Sequence, residues 1–71
     1  MTEDDYTLDL PTRIERRKRA LKARDIAEFL NISGKQVYAL VQQGRIPSYR
    51  IDGAIRFDPA TTARWLRSRA A

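Results

Sequence analysis

The chain has 71 residues, carries 14 Lys and Arg against 9 Asp and Glu for a net charge of +5, and contains neither Cys nor His. That length allows one small domain with little core to spare. The missing residue types exclude disulfide staples, thiolate or imidazole metal ligands and any nucleophile activated by a His base.

No apolar run approaches a membrane span, and the acidic start is unlike a signal peptide. A cytoplasmic protein with no membrane, metal or cofactor is therefore expected. Charge is distributed unevenly. Residues 1–10 carry Glu3, Asp4, Asp5 and Asp9 and no base, whereas residues 11–24 carry seven bases against Glu15 alone. A basic domain with an acidic tip suits a polyanionic partner.

Residues 1–11 show isolated apolar positions, no sustained period and then Pro11, and are expected to stay unordered. From Thr12 to Ala20 the chain is helix-competent, with Thr12 and Glu15 at capping-box spacing. Its apolar content is Ile14 and Ala20, too little to pin it to a core. Residues 1–20 thus read as a flexible acidic-then-basic N-terminal arm. The block Arg16-Arg17-Lys18-Arg19 has a plain reading as solvated like charge. Its functional reading is an arm that follows phosphates or enters a minor groove.

The compact unit, residues 21–71, begins with Leu21, Ile26, Phe29 and Leu30. This amphipathic spacing predicts a helix from about Ala23 to Leu30, with Arg24 and Glu28 paired on its outer side. Lys22 falls at the N-cap, a poor residue there. Asn31 takes the turn, being among the few non-glycines that tolerate a left-handed backbone. Ile32 plugs that turn from beneath, and small Ala27 lets the next helix cross closely. Ser33 caps this second helix with Gln36 three residues on, Val37, Leu40 and Val41 form its apolar stripe, and Gly44 stops it. Lys35, Gln36, Ala39 and Gln42 are left facing outward, where ammonium and amide groups can bond to base edges.

Past Gly44-Arg45-Ile46-Pro47 the period changes to two. Tyr49, Ile51, Ile55 and Phe57 are odd-numbered, and Asp52-Gly53 between them predicts a β-hairpin. Asp-Gly usually makes a two-residue loop. Keeping Tyr49, Ile55 and Phe57 together on one inner face instead calls for a three-residue loop with Gly53 as a left-handed bulge. Arg50 and Arg56 would then stand side by side on the outer face, an arrangement that suits an anion; two snorkelling surface arginines are the plain alternative. Asp58-Pro59 opens a final helix as N-cap and first helical residue. Ala63, Leu66 and Ala70 run down one side of it, with Trp65 as the largest expected piece of core. Arg64, Arg67 and Arg69 cover its outside. The fold class that follows is mainly α with a small β-hairpin.

From Leu21 to the C-terminus the chain resembles the excisionase-like, MerR-type winged helix-turn-helix domains. The resemblance rests on Leu21-Lys22-Ala23-Arg24-Asp25-Ile26-Ala27-Glu28-Phe29-Leu30, Ile32-Ser33 and Val37-Tyr38. It continues through Gly44-Arg45-Ile46-Pro47-Ser48-Tyr49-Arg50, Ile55-Arg56-Phe57 and Trp65-Leu66. Asn31 stands where a glycine is common, and the wing tip Asp52-Gly53-Ala54 lacks a basic cluster. The resemblance implies a second helix in the major groove, with Ser33, Lys35, Gln36 and Tyr38 at the DNA, and a wing contacting the neighbouring minor groove or its phosphates through Arg50 and Arg56.

The expected function is sequence-specific binding of double-stranded DNA, as an excisionase that binds in several copies, bends DNA and directs an integrase. Lys35, Gln36 and Gln42 would read bases; Tyr38, Arg45, Arg50, Arg56 and Arg16, Arg17, Lys18 and Arg19 would hold phosphates. A small transcriptional regulator of the same fold is the nearest alternative, and a protein-interaction module a more distant one. No enzyme is expected, since Ser33, Ser48 and Ser68 have no His base and Asp25 with Glu28 forms a solvated face.

Overall fold

The computed structural model describes residues 9–69. The expectations placed on residues 1–8 and on Ala70 lie outside that range. Four helices and one hairpin follow in order: α1 (Leu10–Glu15), α2 (Ala23–Leu30), α3 (Gly34–Gln42), β1 (Tyr49–Ile51), β2 (Ala54–Arg56) and α4 (Pro59–Arg69). This is the mainly helical, winged helix-turn-helix arrangement expected for residues 21–71, with one helix added in front.

The added helix starts earlier than its sequence suggests. Asp9, not Thr12, is its cap: the Asp9 carboxylate accepts the Thr12 amide at 3.0 Å, and Pro11 occupies the first turn, where it forfeits no hydrogen bond. The helix ends at Glu15, before the four-base block, with Arg16 as its C-cap donating its amide to the Thr12 carbonyl at 3.1 Å. Ile14 is fully buried, and α1 packs on α4. Arg67 reaches across to Glu15 at 2.9 Å and to the Thr12 hydroxyl at 3.2 Å. One isoleucine therefore pins a segment that seemed to have no apolar anchor. Burial of a whole Ile side chain contributes roughly 1.5–3 kcal/mol.

α2 and α3 form where their apolar spacing places them. Asn31 between them has φ 56° and ψ 46°, the left-handed turn anticipated, and Ile32 donates its amide to the Ala27 carbonyl at 3.0 Å to close it. Gly44 ends α3 at φ +66°, with its amide on the Val41 carbonyl and that of Arg45 on Leu40. Ile14, Leu21, Ala23, Ile26, Val37, Ile46 and Phe57 make the buried cluster, and Leu30, Leu40, Trp65 and Leu66 pack around it. Phe57, not Trp65, is the largest fully buried side chain. Trp65 lies half-buried because its indole nitrogen must reach the Arg45 carbonyl, which it does at 2.9 Å.

The hairpin departs from the parity argument. Tyr49 pairs with Arg56, Arg50 with Ile55 and Ile51 with Ala54, so the loop has two residues. Asp52 and Gly53 have φ of 50° and 85°, both left-handed, as a type I′ turn requires. That turn matches the natural twist of the strands, and no buried face opposes it, because all of β1 is exposed and Ile51 is 56% accessible. Alternation can dictate register only where one face is buried. Phe57 reaches the core by leaving the ribbon: it exchanges two backbone hydrogen bonds with Leu21, at 2.8 and 2.9 Å.

Candidate nucleic-acid interface

The first turn of α3 is held by a reciprocal capping box. The Ser33 hydroxyl accepts the Gln36 amide at 3.1 Å, and the Gln36 side-chain oxygen accepts the Ser33 amide at 2.9 Å. Two orphan backbone donors are satisfied in this way. Lys35, Gln36, Tyr38, Ala39 and Gln42 are exposed, while Val37 is fully buried beneath them. The helix thus presents the outward face its sequence implies. Lys35 extends from it without an ionic partner among the described residues.

The second half of α3 borders a groove of about 600 Å³ that runs between it, the start of α2 and the ribbon. Tyr38, Val41 and Gln42 form one wall, Lys22 and Arg24 one end, and Arg50 and Arg56 the ribbon side. Four bases and no acid line it. Coulomb repulsion among four cations favours an anion there, and the open geometry admits one with part of its hydration intact.

Arg50 and Arg56 meet this groove from opposite faces of the ribbon, since residues directly across from each other share a face. The expected side-by-side pair is not formed, because the two-residue loop sets Arg50 with Ile55 and Arg56 with Tyr49. Arg56 also donates to the Ile55 carbonyl at 2.8 Å, which holds its guanidinium close to β2.

The basic block joins the groove in part. Arg17 and Arg19 border a depression shared with Lys22, Arg24 and Asp25, so the block adjoins the groove at Lys22 and Arg24 with one acid between. Arg17 is also held over the Phe29 ring at 5.6 Å. Lys18 lies beside Asp58 and Pro59 at the start of α4, and Arg16 caps the end of α1. Arg45 stands apart from the groove. Its carbonyl accepts from Trp65, and its guanidinium donates to the Gln43 side chain at 3.4 Å.

A family model described as a helix-turn-helix domain matches residues 20–70. The chain belongs to the helix-turn-helix domain family. Comparison with curated proteins and with solved structures found no match. A helix-turn-helix domain implies DNA binding, and α3 is the second helix of the motif. Such domains are typically not enzymes. Among the described residues no helix is long and apolar enough to cross a membrane.

In this helix-turn-helix domain the residues singled out from sequence fall into three places. Ser33, Lys35 and Gln36 sit at the start of α3; Tyr38, Gln42, Arg50 and Arg56 meet at the groove, with Arg17 and Arg19 adjoining it; Arg16, Lys18 and Arg45 belong to neither. Lys22 and Arg24 were missed. A signal existed for the first, since lysine is a poor N-cap with no local reason to stand there. Asp25 supplies the cap instead, its carboxylate accepting the Lys22 amide at 2.8 Å. Arg24 was assigned to a pair with Glu28, yet the one ion pair among the described residues is Arg67 with Glu15.

Proposed function

We propose that this domain recognises a specific double-stranded DNA sequence, with α3 in the major groove and the sugar-phosphate backbone seated in the groove beside the wing. Lys35, Gln36 and Gln42 read bases. Lys22, Arg24, Tyr38, Arg50 and Arg56 hold phosphates, and Arg17 and Arg19 extend that contact. The observation that carries the reading is the four-base, acid-free groove alongside an exposed helix face. Phosphate contacts fix orientation, and base contacts confer sequence preference. Arg16, Lys18 and Arg45 contribute longer-range attraction.

The role assigned is that of an excisionase, acting in the cytoplasm as a directionality factor for an integrase. Several copies bind neighbouring sites and bend the DNA between them. The Gly44-Arg45-Ile46-Pro47 step into a short arginine-bearing wing is the feature that supports this role. Footprinting on the DNA flanking the coding region tests it. Adjacent protected repeats at an attachment site, with the retarded migration of bent DNA, are expected; protection confined to a promoter would instead make the domain a transcriptional regulator. Lys35→Ala should cost about 1–3 kcal/mol on the preferred site and relax preference at one base pair. Equal weakening on every duplex would reduce Lys35 to a phosphate contact.

A further inference from the structure

We infer that the basic block Arg16-Arg17-Lys18-Arg19 is a braced loop that offers Arg17 and Arg19 to phosphates already in place, with Phe29 and Leu21 as positioning residues. The inference rests on the proposed DNA-binding reading and adds how this part of the contact is built. A run of like charge is ordinarily a solvated segment whose side chains must be ordered when a ligand arrives. Here the run, together with Ala20, is closed between two fixed points. On one side Ile14 is fully buried, and Arg67 ties Glu15 at 2.9 Å. On the other, Leu21 is buried and exchanges two backbone hydrogen bonds with Phe57, at 2.8 and 2.9 Å. Between them every residue from Arg16 to Ala20 is exposed.

Each of the two arginines has a brace of its own. The Arg17 amide donates to the Ile14 carbonyl at 3.0 Å, and its guanidinium lies over the Phe29 ring at 5.6 Å. Phe29 packs against the core, so a ring fixed in the helix-turn-helix holds a cation from the segment before it. Arg19 stands two residues before the Leu21–Phe57 bridge and borders the depression with Lys22, Arg24 and Asp25. The Asp25 carboxylate there accepts the Lys22 amide at 2.8 Å. It pairs with neither arginine, since the one ion pair among the described residues is Arg67 with Glu15. Ordering one long cationic side chain on binding lowers affinity by about three- to tenfold, and a braced one avoids that loss.

Fluorescence anisotropy over a salt series, with the full chain and a duplex of arbitrary sequence, tests this. Arg17→Ala with Arg19→Ala, both at exposed positions, should lower the salt slope by roughly two, one for each lost phosphate. The braces should act differently. Removing a brace leaves the charge, so the slope should hold while affinity falls by about three- to tenfold at every salt concentration. Phe29→Leu takes away the ring under Arg17 and leaves an apolar residue in its place. Its effect should vanish when Arg17→Ala is already present. Inserting Gly-Ser-Gly-Ser between Arg19 and Ala20 slackens the loop at little cost to folding, and should weaken binding to a similar degree. A slope unmoved by the two alanines would overturn the inference, since the loop would then meet no phosphate. Unchanged affinity in a folded brace variant would overturn it too, because a free arm would then serve as well; urea unfolding shows which variants are folded, and either decides alone. Phe29→Leu acting equally with and without Arg17→Ala would make the ring core packing and remove it as a brace. No salt-sensitive binding by the wild type would instead overturn the DNA-binding reading itself, so the two failures are distinguishable.

Discussion

Arg50 is paired across the wing with Ile55, and Arg56 with Tyr49, so the two arginines approach the groove from opposite faces of the ribbon. Two cations on one face would share a single anion, and removing the second would add little to removing the first. On opposite faces they meet separate phosphates. Arg50→Ala and Arg56→Ala should each lower the salt dependence of DNA binding by roughly one unit of slope, and the double variant by roughly two. Fluorescence anisotropy over a salt series measures this. A double variant no different from either single one would place both at one phosphate.

Lys22 and Arg24 should behave in the same way although neither lies on the recognition helix or the wing. Lys22→Ala leaves the Asp25 carboxylate on the residue 22 amide, because that hydrogen bond is made by the backbone. Folding should therefore change by no more than about 0.5 kcal/mol, as for surface substitutions generally. DNA affinity should fall on all sequences alike, with the slope again lower by roughly one. Binding measured on specific and nonspecific duplexes separates this from a base contact.

The wing depends on two left-handed residues. Gly53→Ala forces a Cβ into φ +85° and should cost about 1–2 kcal/mol of local stability. Asp52→Asn should be neutral for folding, since asparagine tolerates the same backbone. The glycine variant should also bind DNA less tightly, because a frayed ribbon no longer holds Arg50 and Arg56 at the groove. Amide exchange across residues 49–56 with a binding isotherm reads both effects.

Ile14 anchors α1 on the core with no exposed surface. Ile14→Ala should destabilise by about 2–5 kcal/mol, the range for buried aliphatic truncation. That is a large share of what a small domain possesses. Arg16→Ala, two residues on at an exposed position, should fall within about 0.5 kcal/mol. Urea denaturation of the two variants gives the comparison.

Two carboxylates couple folding to acid. Hydrogen bonds from the Thr12 hydroxyl and amide hold Asp9 below its ordinary value. The Thr61 amide and hydroxyl do the same for Asp58, at 2.9 Å each. A carboxylate lowered on folding contributes stability that is complete above its unfolded value, near 4. That contribution is lost as pH falls through the lower folded value. Stability should thus be flat from neutrality to about pH 5 and decline below it. Asp58→Asn, still a good N-cap, should fold equally well at pH 7 and show a shallower decline. Thermal melts between pH 2 and 7 provide the check.

The sequence by itself determined the local elements. The stripe of Ile26 and Leu30, Asn31 at the turn, the Ser33–Gln36 box, Gly44 and Asp58-Pro59 each act within one or two turns of chain. Their chemistry is therefore complete in the sequence, and so is the order helix, turn, helix, hairpin, helix. The outward set Lys35, Gln36 and Gln42 was legible for the same reason, since the helical period alone places it.

Tertiary structure decided what depends on residues distant in the chain. Whether the alternation of Tyr49, Ile51, Ile55 and Phe57 marked a buried face depended on how little core lay beneath the ribbon. With β1 exposed, the Asp52-Gly53 turn prevailed and separated Arg50 from Arg56. Ile14 gained its place from α4, more than forty residues on. Lys22 and Arg24 joined the groove because packing of α2 against α3 carried them beside the wing. Charge can be counted along a chain, but the field at a site depends on distances in space, and folding sets those distances.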